Sequence, residues 1–226
     1  MKVILFGATG LAGSAILTEM LKGGHKVTAF VRTPSKIKEQ HTALQVVQGD
    51  VLNDANVLEA IRGNLAVVSA ISEGTTITNH TQSRGNSIII KAMQQLGLQR
   101  IVCMGSTGIL QLNENQLIRD VSYPQAYYPL SEEQFNVFQQ LQKSGLQWTQ
   151  VCPPLILDQP ADGKYLTKAS YKPLGKDEVS AGNIGAFIAK ELTENKYLQA
   201  RVGIINAWYL KGLRDVKSIY EVHYLI

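Results

Sequence analysis

The chain begins with a short apolar segment that runs into a glycine-rich loop, and this junction restricts the fold more than any other feature. The segment is KVILF, at residues 2–6, and Gly7, Gly10 and Gly13 follow it. A strand that leads through such a loop into a helix is typical of a nucleotide-binding βαβ unit. The spacing is G-x-x-G-x-x-G rather than the common G-x-G-x-x-G. The alternative interpretation is a glycine-rich turn that holds no ligand.

Apolar segments and helical segments alternate along the first two thirds of the chain. The apolar segments are short, rich in β-branched residues and not alternating, as expected for strands that are buried on both faces. Between them, apolar residues recur at helical spacing, for example Ile89, Ala92, Met93 and Leu96. A capping box at Ser131–Gln134 predicts the start of a further helix. The pattern predicts an α/β fold with a doubly wound parallel sheet, the Rossmann fold.

The length of 226 residues fits one domain. We divide it into a cofactor-binding core at residues 1–152 and a substrate-side extension at residues 153–226. The extension begins with a stretch rich in Pro, Gly and Lys that predicts loops with short strands. A helix at about residues 180–194 and a strand at RVGIIN follow it. The last stretch is apolar enough to pack but carries no motif, so residues 201–226 receive no role.

Composition and charge restrict the class of protein. Hydrophobic residues make up 45% of the chain, but no segment reaches the roughly 18 apolar residues of a membrane helix. The net charge of +4 is scattered, which favours anionic small molecules over nucleic acid. The predicted first strand starts at residue 2, and we therefore expect no signal peptide. We expect a cytoplasmic monomer or small homo-oligomer with no membrane or nucleic-acid partner.

The cysteines and histidines indicate neither a disulfide nor a metal site. Cys103 and Cys152 each lie inside an apolar segment, which predicts buried, reduced thiols. The four histidines are too scattered to suggest ligands for a metal ion.

Each residue of the glycine loop has a distinct expected role in holding a dinucleotide. Gly7 allows a tight turn with positive φ, and Gly10 lets the backbone approach a pyrophosphate. Gly13 lets the helix that begins near Leu11 pack closely on the sheet, while Thr9 adds a hydroxyl donor. The helix N-terminus then presents free N–H groups to the phosphates.

The second and third predicted strands indicate which dinucleotide is bound. A NAD-binding fold places Asp or Glu at the end of the second strand, whereas this chain has Arg32, followed by Lys36. A guanidinium binds a 2′-phosphate that an acid would repel, so we predict NADP(H). The alternative is a solvated surface arginine. Asp50 and Val51, at the end of the third strand, are expected to contact the adenine.

The motifs GATGLAG, VRTPSK, GDV and GSTG resemble those of the atypical short-chain dehydrogenase/reductase family, in its NmrA-like branch. Within that branch, the segment PPLILDQPADGKY is similar to the biliverdin-IXβ reductases, also called flavin reductases. The resemblance covers roughly residues 1–200. It implies that Leu11 and Ala12 join the loop in holding the pyrophosphate. Further cofactor contacts are implied for Ala70, Ile71, Ser72, Ser106, Pro154, Leu155 and Ile156. Leu155 replaces a histidine of those reductases.

The chain lacks the acid–base pair of most short-chain dehydrogenases, Tyr-x-x-x-Lys. Tyr123, Tyr127 and Tyr128 are followed four residues later by tyrosine, serine and glutamate, and later tyrosines fall outside the expected helix. Alcohol–ketone chemistry and sugar epimerisation are therefore disfavoured, and a proton would come from water or a weak donor. Ser106 is the candidate catalytic residue, as a hydrogen-bond donor beside the nicotinamide. Its alternative role is to cap backbone groups at a strand end.

The three tyrosines also form an aromatic segment, stiffened by Pro124 and Pro129, where a substrate pocket is expected. Such a segment suits stacking on a planar ring, or else it packs on the core as a hydrophobic latch. The sequence predicts an NADPH-dependent reductase of a planar acceptor such as a flavin, bilin or quinone. The alternative is a non-catalytic NADP(H)-binding redox sensor of the NmrA type.

Overall fold

The computed structural model describes residues 1–121 and 123–207, so the predicted packing of the last stretch lies outside the described residues. The helices are α1 (Leu11–Lys22), α2 (Asp54–Ile61), α3 (Thr81–Leu96), α4 (Ile118–Val121), α5 (Tyr128–Lys143) and α6 (Ala181–Glu194). The strands are β1 (Lys2–Phe6), β2 (Lys26–Val31), β3 (Leu44–Gln48), β4 (Ala66–Ser69), β5 (Arg100–Met104), β6 (Gln111–Asn113), β7 (Gln116–Leu117), β8 (Gln147–Cys152), β9 (Leu155–Leu157), β10 (Tyr165–Ala169), β11 (Glu178–Ser180) and β12 (Ala200–Asn206).

Eight strands form one sheet in the order β10-β12-β8-β5-β4-β1-β2-β3. All neighbours in it are parallel except the edge strand β10, which pairs antiparallel with β12. The order reverses between β1 and β4, which makes that position the topological switch point. This architecture confirms the predicted Rossmann fold.

The helices cover both faces of the sheet. Successive residues of β1 point to opposite faces: Val3 and Leu5 pack with α1 and α6, whereas Ile4 and Phe6 pack with α2, α3 and α5. Both faces of the strand are therefore buried, which explains why its sequence is apolar without alternation. Cys103 and Cys152 are buried free thiols, as predicted, and burial raises the pKa of each to about 12.

The predicted start of α5 is wrong. The helix begins at Tyr128, with Pro129 in its first turn, rather than at the predicted capping box. Proline is favoured at helix starts because its missing N–H is not needed there. Ser131 lies within the helix, fully buried, and its hydroxyl has no partner among the described residues. The expected helix near residues 180–194 is confirmed as α6, with Ser180 as its N-cap.

The three short strands between β8 and α6 agree with the loops and short strands expected at the start of the extension. β9 and β11 form a separate parallel pair, and β10 joins the main sheet. The hairpin of β6 and β7 was not predicted. None of the described helices has both the length and the hydrophobicity required to cross a bilayer.

Candidate cofactor and active site

Two glycines of the loop after β1 are required by the packing of the protein itself. Gly7 has a φ of +83°, and a Cβ placed on it would lie 2.4 Å from the carbonyl oxygen of Ala70. A Cβ on Gly13 would lie 1.9 Å from the carbonyl oxygen of Gly7. Any side chain at either position would therefore push apart the backbone of the loop, α1 and the end of β4.

Gly10 differs, because no contact within the described part of the chain accounts for its missing side chain. Its φ of −81° suits any residue, and the nearest atom to a Cβ placed there is 3.8 Å away. The space beside Gly10 is open, as expected where a ligand approaches the backbone closely. A pyrophosphate fits this space.

The start of α1 supplies hydrogen-bond donors to the same space. The first bond within the helix runs from the N–H of Ser14 to the carbonyl oxygen of Gly10, at 2.8 Å. The N–H groups of Leu11, Ala12 and Gly13 precede that bond and have no acceptor within the helix. Free N–H groups and the positive end of the helix dipole favour an anion at this position.

A cavity of about 270 Å³ lies at the carboxyl ends of β1, β2 and β4, beside the switch point. Eight predicted cofactor contacts line it, namely Gly7, Thr9, Gly10, Arg32, Val51, Ala70, Ile71 and Ser72. The other predicted contacts lie outside that lining, namely Leu11, Ala12, Gly13, Lys36, Asp50, Ser106, Pro154, Leu155 and Ile156. The structure thus brings together the loop, the end of β2 and the end of β4, which are separated in sequence.

Arg32 lies at the rim of this cavity with an exposed side chain. Within residues 1–121 and 123–207 it forms no ion pair with a carboxylate. Lys36 is also exposed, in a 3-10 turn that follows β2. Asp50 accepts a hydrogen bond from the N–H of Leu52 at 2.9 Å.

Glu73 and Thr81 also line the cavity, and sequence reasoning missed both. The Glu73 carboxylate accepts hydrogen bonds from the N–H and the hydroxyl of Thr81 and from the N–H of Asn79. Burial acts to raise the pKa of Glu73, but the bonds from Thr81 and Asn79 outweigh it, and the pKa is lowered. The loop after β4 is therefore closed on itself by a carboxylate that stays ionised.

The segment Pro154–Ile156 lies apart from the cavity. Its N–H at Leu155 donates to the carbonyl oxygen of Asp177 at 3.3 Å, which leaves that N–H unavailable to a cofactor. The Leu155 side chain is 60% exposed, whereas Ile156 packs against the core.

Ser106 follows β5 and is nearly buried. It precedes the 3-10 turn at residues 107–109, but its side chain makes no capping hydrogen bond, contrary to the alternative role considered above. Instead, the hydroxyl of Tyr123 donates to Oγ of Ser106 at 3.3 Å. Burial raises the pKa of Tyr123, and the hydrogen bond with Ser106 offsets part of that effect.

The other two tyrosines are half-exposed, at 45% for Tyr127 and 43% for Tyr128. Tyr127 meets Tyr123 edge to face, with ring centroids 6.5 Å apart, and the guanidinium of Arg119 lies over the Tyr128 ring. Neither tyrosine inserts into the core as a latch would. Tyr128 is the first residue of α5 rather than part of a loop.

A histidine–carboxylate pair, also missed from the sequence, joins α3 to α5. Nδ1 of His80 lies 2.7 Å from Oε1 of Glu133, and the N–H of Ser83 donates to Oε2 at 3.0 Å. Glu133 is 2% exposed, so the carboxylate caps the start of α3 from a neighbouring helix. Among the described residues, no group of three or more His, Cys, Asp or Glu side chains is arranged to hold a metal ion.

The comparison with known proteins decides the family. The family model described as NAD(P)H-binding matches residues 7–195. The chain belongs to this family. It is 31% identical over 183 residues to the uncharacterized protein YwnB of Bacillus subtilis, a match that covers 79% of this chain and 81% of that protein. It is also 28% identical to a 3-beta-hydroxysteroid dehydrogenase of Mycolicibacterium neoaurum, over 54% of this chain and 37% of the dehydrogenase.

Solved structures of similar proteins agree with the fold. A Streptococcus pneumoniae protein, provisionally described as an NADH-flavin reductase, has a TM-score of 0.76 and 25% identity, over 91% of this chain and 99% of its own. A Rossmann-fold NAD(P)-binding family protein from Shigella flexneri has a TM-score of 0.71 and 22% identity, over 91% and 93% of the two chains. Together these matches identify an NAD(P)H-binding, oxidoreductase-like member of an atypical short-chain dehydrogenase/reductase-like family.

Proposed function

We propose that the protein is an NADPH-dependent reductase that transfers hydride to a planar acceptor, such as a flavin, bilin or quinone-like ring. The observation that carries the proposal is the space beside Gly10 at the start of α1, which the described residues leave unfilled. It lies next to free helix N–H groups and opens into the cavity at the switch point. These are the features that hold a dinucleotide pyrophosphate.

The preference for NADPH rests on Arg32. The side chain is exposed at the rim where the adenosine ribose of a bound dinucleotide lies, and no acidic residue occupies the end of β2. A guanidinium at this position binds the 2′-phosphate through charge-assisted hydrogen bonds. Lys36 adds a second positive charge nearby in the sequence.

The class of acceptor is supported by the surroundings of Ser106 and by the relatives. The half-exposed rings of Tyr127 and Tyr128 follow β5 in the chain and are available to stack on a planar ring. The S. pneumoniae protein is described as an NADH-flavin reductase. The sequence around Pro154 also resembles the corresponding segment of the biliverdin-IXβ reductases.

The bound dinucleotide supplies a hydride, which reduces the acceptor by two electrons. The loop residues and α1 fix the pyrophosphate, and Arg32 fixes the adenosine end. Ser106, at the carboxyl end of β5, lies in the half of the sheet that faces the nicotinamide. Positioning the two reactants contributes most of the rate, since hydride transfer depends on proximity and alignment.

The test is to follow NADPH oxidation by its absorbance, with a panel of flavins, bilins and quinones and with NADH in parallel. We expect oxidation of NADPH with at least one planar acceptor, and weaker binding of NADH. A protein that binds NADPH tightly but oxidises it with no acceptor would instead be a redox sensor of the NmrA type.

A further inference from the structure

We propose that Ser106 and Tyr123 act as a proton relay, in which Ser106 protonates the reduced acceptor and Tyr123 restores the proton to Ser106. The inference rests on the proposed function and assigns a second catalytic role to the site. The hydrogen bond between the two hydroxyls carries it, because the two residues are 17 positions apart and meet only in the folded chain.

The position of Ser106 suits proton delivery to the acceptor. β5 pairs with β4, and the loop after β4 lines the cofactor cavity through Ala70, Ile71 and Ser72. Ser106 follows β5 at the same carboxyl edge of the sheet, on the nicotinamide side of the switch point. Among residues 1–121 and 123–207 its side chain caps no backbone group, so its own O–H remains available to donate.

The position of Tyr123 is set by Gly108. A Cβ on Gly108 would lie 2.8 Å from Cζ of Tyr123, the carbon that carries the hydroxyl, and 2.7 Å from Oγ of Ser131. Without a side chain at this position, the ring approaches the turn closely and reaches Ser106. The backbone of Gly108 also hydrogen-bonds to the Tyr123 hydroxyl, which stabilises the phenolate.

The direction of the hydrogen bond between Tyr123 and Ser106 sets the direction in which protons move. The Tyr123 proton points at Oγ of Ser106, which leaves the Ser106 proton free to point at the acceptor. After hydride transfer the acceptor holds an extra electron pair and takes the Ser106 proton, so that one O–H bond breaks and one bond from hydrogen to the acceptor forms. Ser106 regains a proton from Tyr123, and the phenolate regains one from water. The acceptor thus gains one hydride and one proton.

This arrangement explains how a chain without Tyr-x-x-x-Lys supplies an acid. In that motif a lysine lowers the pKa of the tyrosine, whereas Tyr123 has a neutral backbone donor and a partly buried ring. Burial raises the pKa of Tyr123, so it keeps its proton at neutral pH. A protonated phenol is the form that a relay needs before each turnover.

The kinetic test compares Tyr123 with Tyr197, which precedes β12 at the opposite edge of the sheet and whose hydroxyl lies 2.9 Å from that of Thr167. Tyr123→Phe and the control Tyr197→Phe are assayed in single turnover with NADPH and the acceptor that the wild type reduces fastest, in H2O and D2O. We expect Tyr123→Phe to slow turnover by at least about 100-fold, as loss of a general acid does, and to lower the solvent isotope effect. NADPH affinity should be unchanged. Ser106→Ala should match Tyr123→Phe, and Ser106→Thr should retain most of the rate.

Gly108→Ala tests the positioning of Tyr123. We expect a loss close to that of Tyr123→Phe, with no further loss when the two changes are combined, since both act through one hydroxyl. Additive losses would overturn the assigned role of Gly108 in the relay.

A readout without turnover is the tyrosinate absorbance of the ligand-free protein as pH is raised. The titration of Tyr123 is obtained by subtracting the tyrosinate absorbance of Tyr123→Phe from that of the wild type. For Ser106→Ala, the absorbance of the Ser106→Ala, Tyr123→Phe double variant is subtracted in the same way. Because Ser106 hydrogen-bonds the phenolate, Ser106→Ala should move that titration to higher pH. An unchanged titration would overturn the contact. Equal rates for Tyr123→Phe and Tyr197→Phe in an active enzyme would overturn the relay alone, whereas a wild type that reduces no acceptor would overturn the proposed function as well.

Discussion

Gly7 and Gly13 are in such close contact that a Cβ on Gly13 would lie 1.9 Å from the carbonyl oxygen of Gly7. The first turn of α1 therefore sits directly against the loop that leaves β1. This contact fixes the direction in which the helix N-terminus points, and the free N–H groups of that terminus form the anion site. Gly10, between the two, contacts nothing as closely. The loop and the first turn of α1 thus contain two glycines needed for packing, and a third glycine, Gly10, that leaves space for a ligand.

This difference predicts opposite effects of substitution within one loop. Gly13→Ala should lower the free energy of unfolding by roughly 1–3 kcal/mol or more, because the added methyl forces α1 away from the loop. Gly10→Val should leave the free energy of unfolding nearly unchanged and abolish NADPH binding, because the side chain fills the space beside the loop. Urea unfolding and NADPH titration of both variants measure the two effects. A folded Gly10→Val protein that still binds NADPH would show that the pyrophosphate lies elsewhere.

Arg32 is predicted to set the choice of dinucleotide. Its hydrogen bonds with a 2′-phosphate are charge-assisted and worth about 1.5–3 kcal/mol. Arg32→Ala should therefore weaken NADPH binding by roughly 10- to 100-fold and leave NADH binding nearly unchanged. Arg62→Ala serves as the control, because Arg62 is an exposed arginine that pairs with Glu59 away from the cofactor cavity. Equal affinity of the wild type for the two dinucleotides would contradict the prediction.

The fold could be predicted from the sequence because its signals are local. The apolar segments that became β1, β2, β4, β5 and β8 lie in short runs, and the three glycines of the first motif lie within one short stretch, although Gly7 also contacts the distant Ala70. The prediction of where α5 begins was wrong because it also relied on a local signal. Ser131 and Gln134 have the spacing of a capping box, but Pro129 had already begun the helix, and Ser131 was buried inside it.

The candidate site was harder to predict, because its important contacts join distant positions. Ser106 could be proposed from its place after a strand, whereas its bond with Tyr123 depends on how the segment between β5 and α5 folds back. Likewise, nothing near Glu133 in the sequence indicates that its carboxylate reaches the start of α3. Such contacts are set by helix packing, which short-range patterns do not encode.

Glu133 is predicted to contribute far more to the free energy of unfolding than an exposed glutamate does. Its buried carboxylate accepts bonds from His80 and from the N–H of Ser83, and Glu133→Gln weakens both. We expect a loss of about 1–3 kcal/mol in the free energy of unfolding. Glu59→Gln is the control, because Glu59 and its partner Arg62 are both exposed, and their ion pair should contribute about 1 kcal/mol or less. Urea unfolding measures the free energy of unfolding of the two variants, and equal decreases in that free energy would rule out a special role for Glu133.

His25 is predicted to make the stability of the protein depend on pH. The ring is 3% exposed, its Nε2 donates to the carbonyl oxygen of Ala189 at 3.0 Å, and its Nδ1 is buried without a partner among the described residues. Burial lowers the pKa of His25, so the folded protein holds the ring neutral. The unfolded chain binds a proton at this histidine once the pH falls below about 6.5.

This difference in proton binding between the folded and unfolded states determines how stability changes with pH. Above about pH 6.5 the ring is neutral in both states and stability is unaffected. As the pH falls towards the lowered pKa of the folded state, only the unfolded chain gains the proton, and stability is lost. His25→Gln keeps an N–H donor for Ala189 but has no charge to gain, so the loss between about pH 6.5 and the acidic range should be smaller than in the wild type. His41→Gln is the control, because His41 is exposed and accepts only a local bond from the N–H of Ala43. Urea unfolding across this pH range measures all three proteins, and parallel pH profiles for the wild type and His25→Gln would show that the acid sensitivity comes from another group.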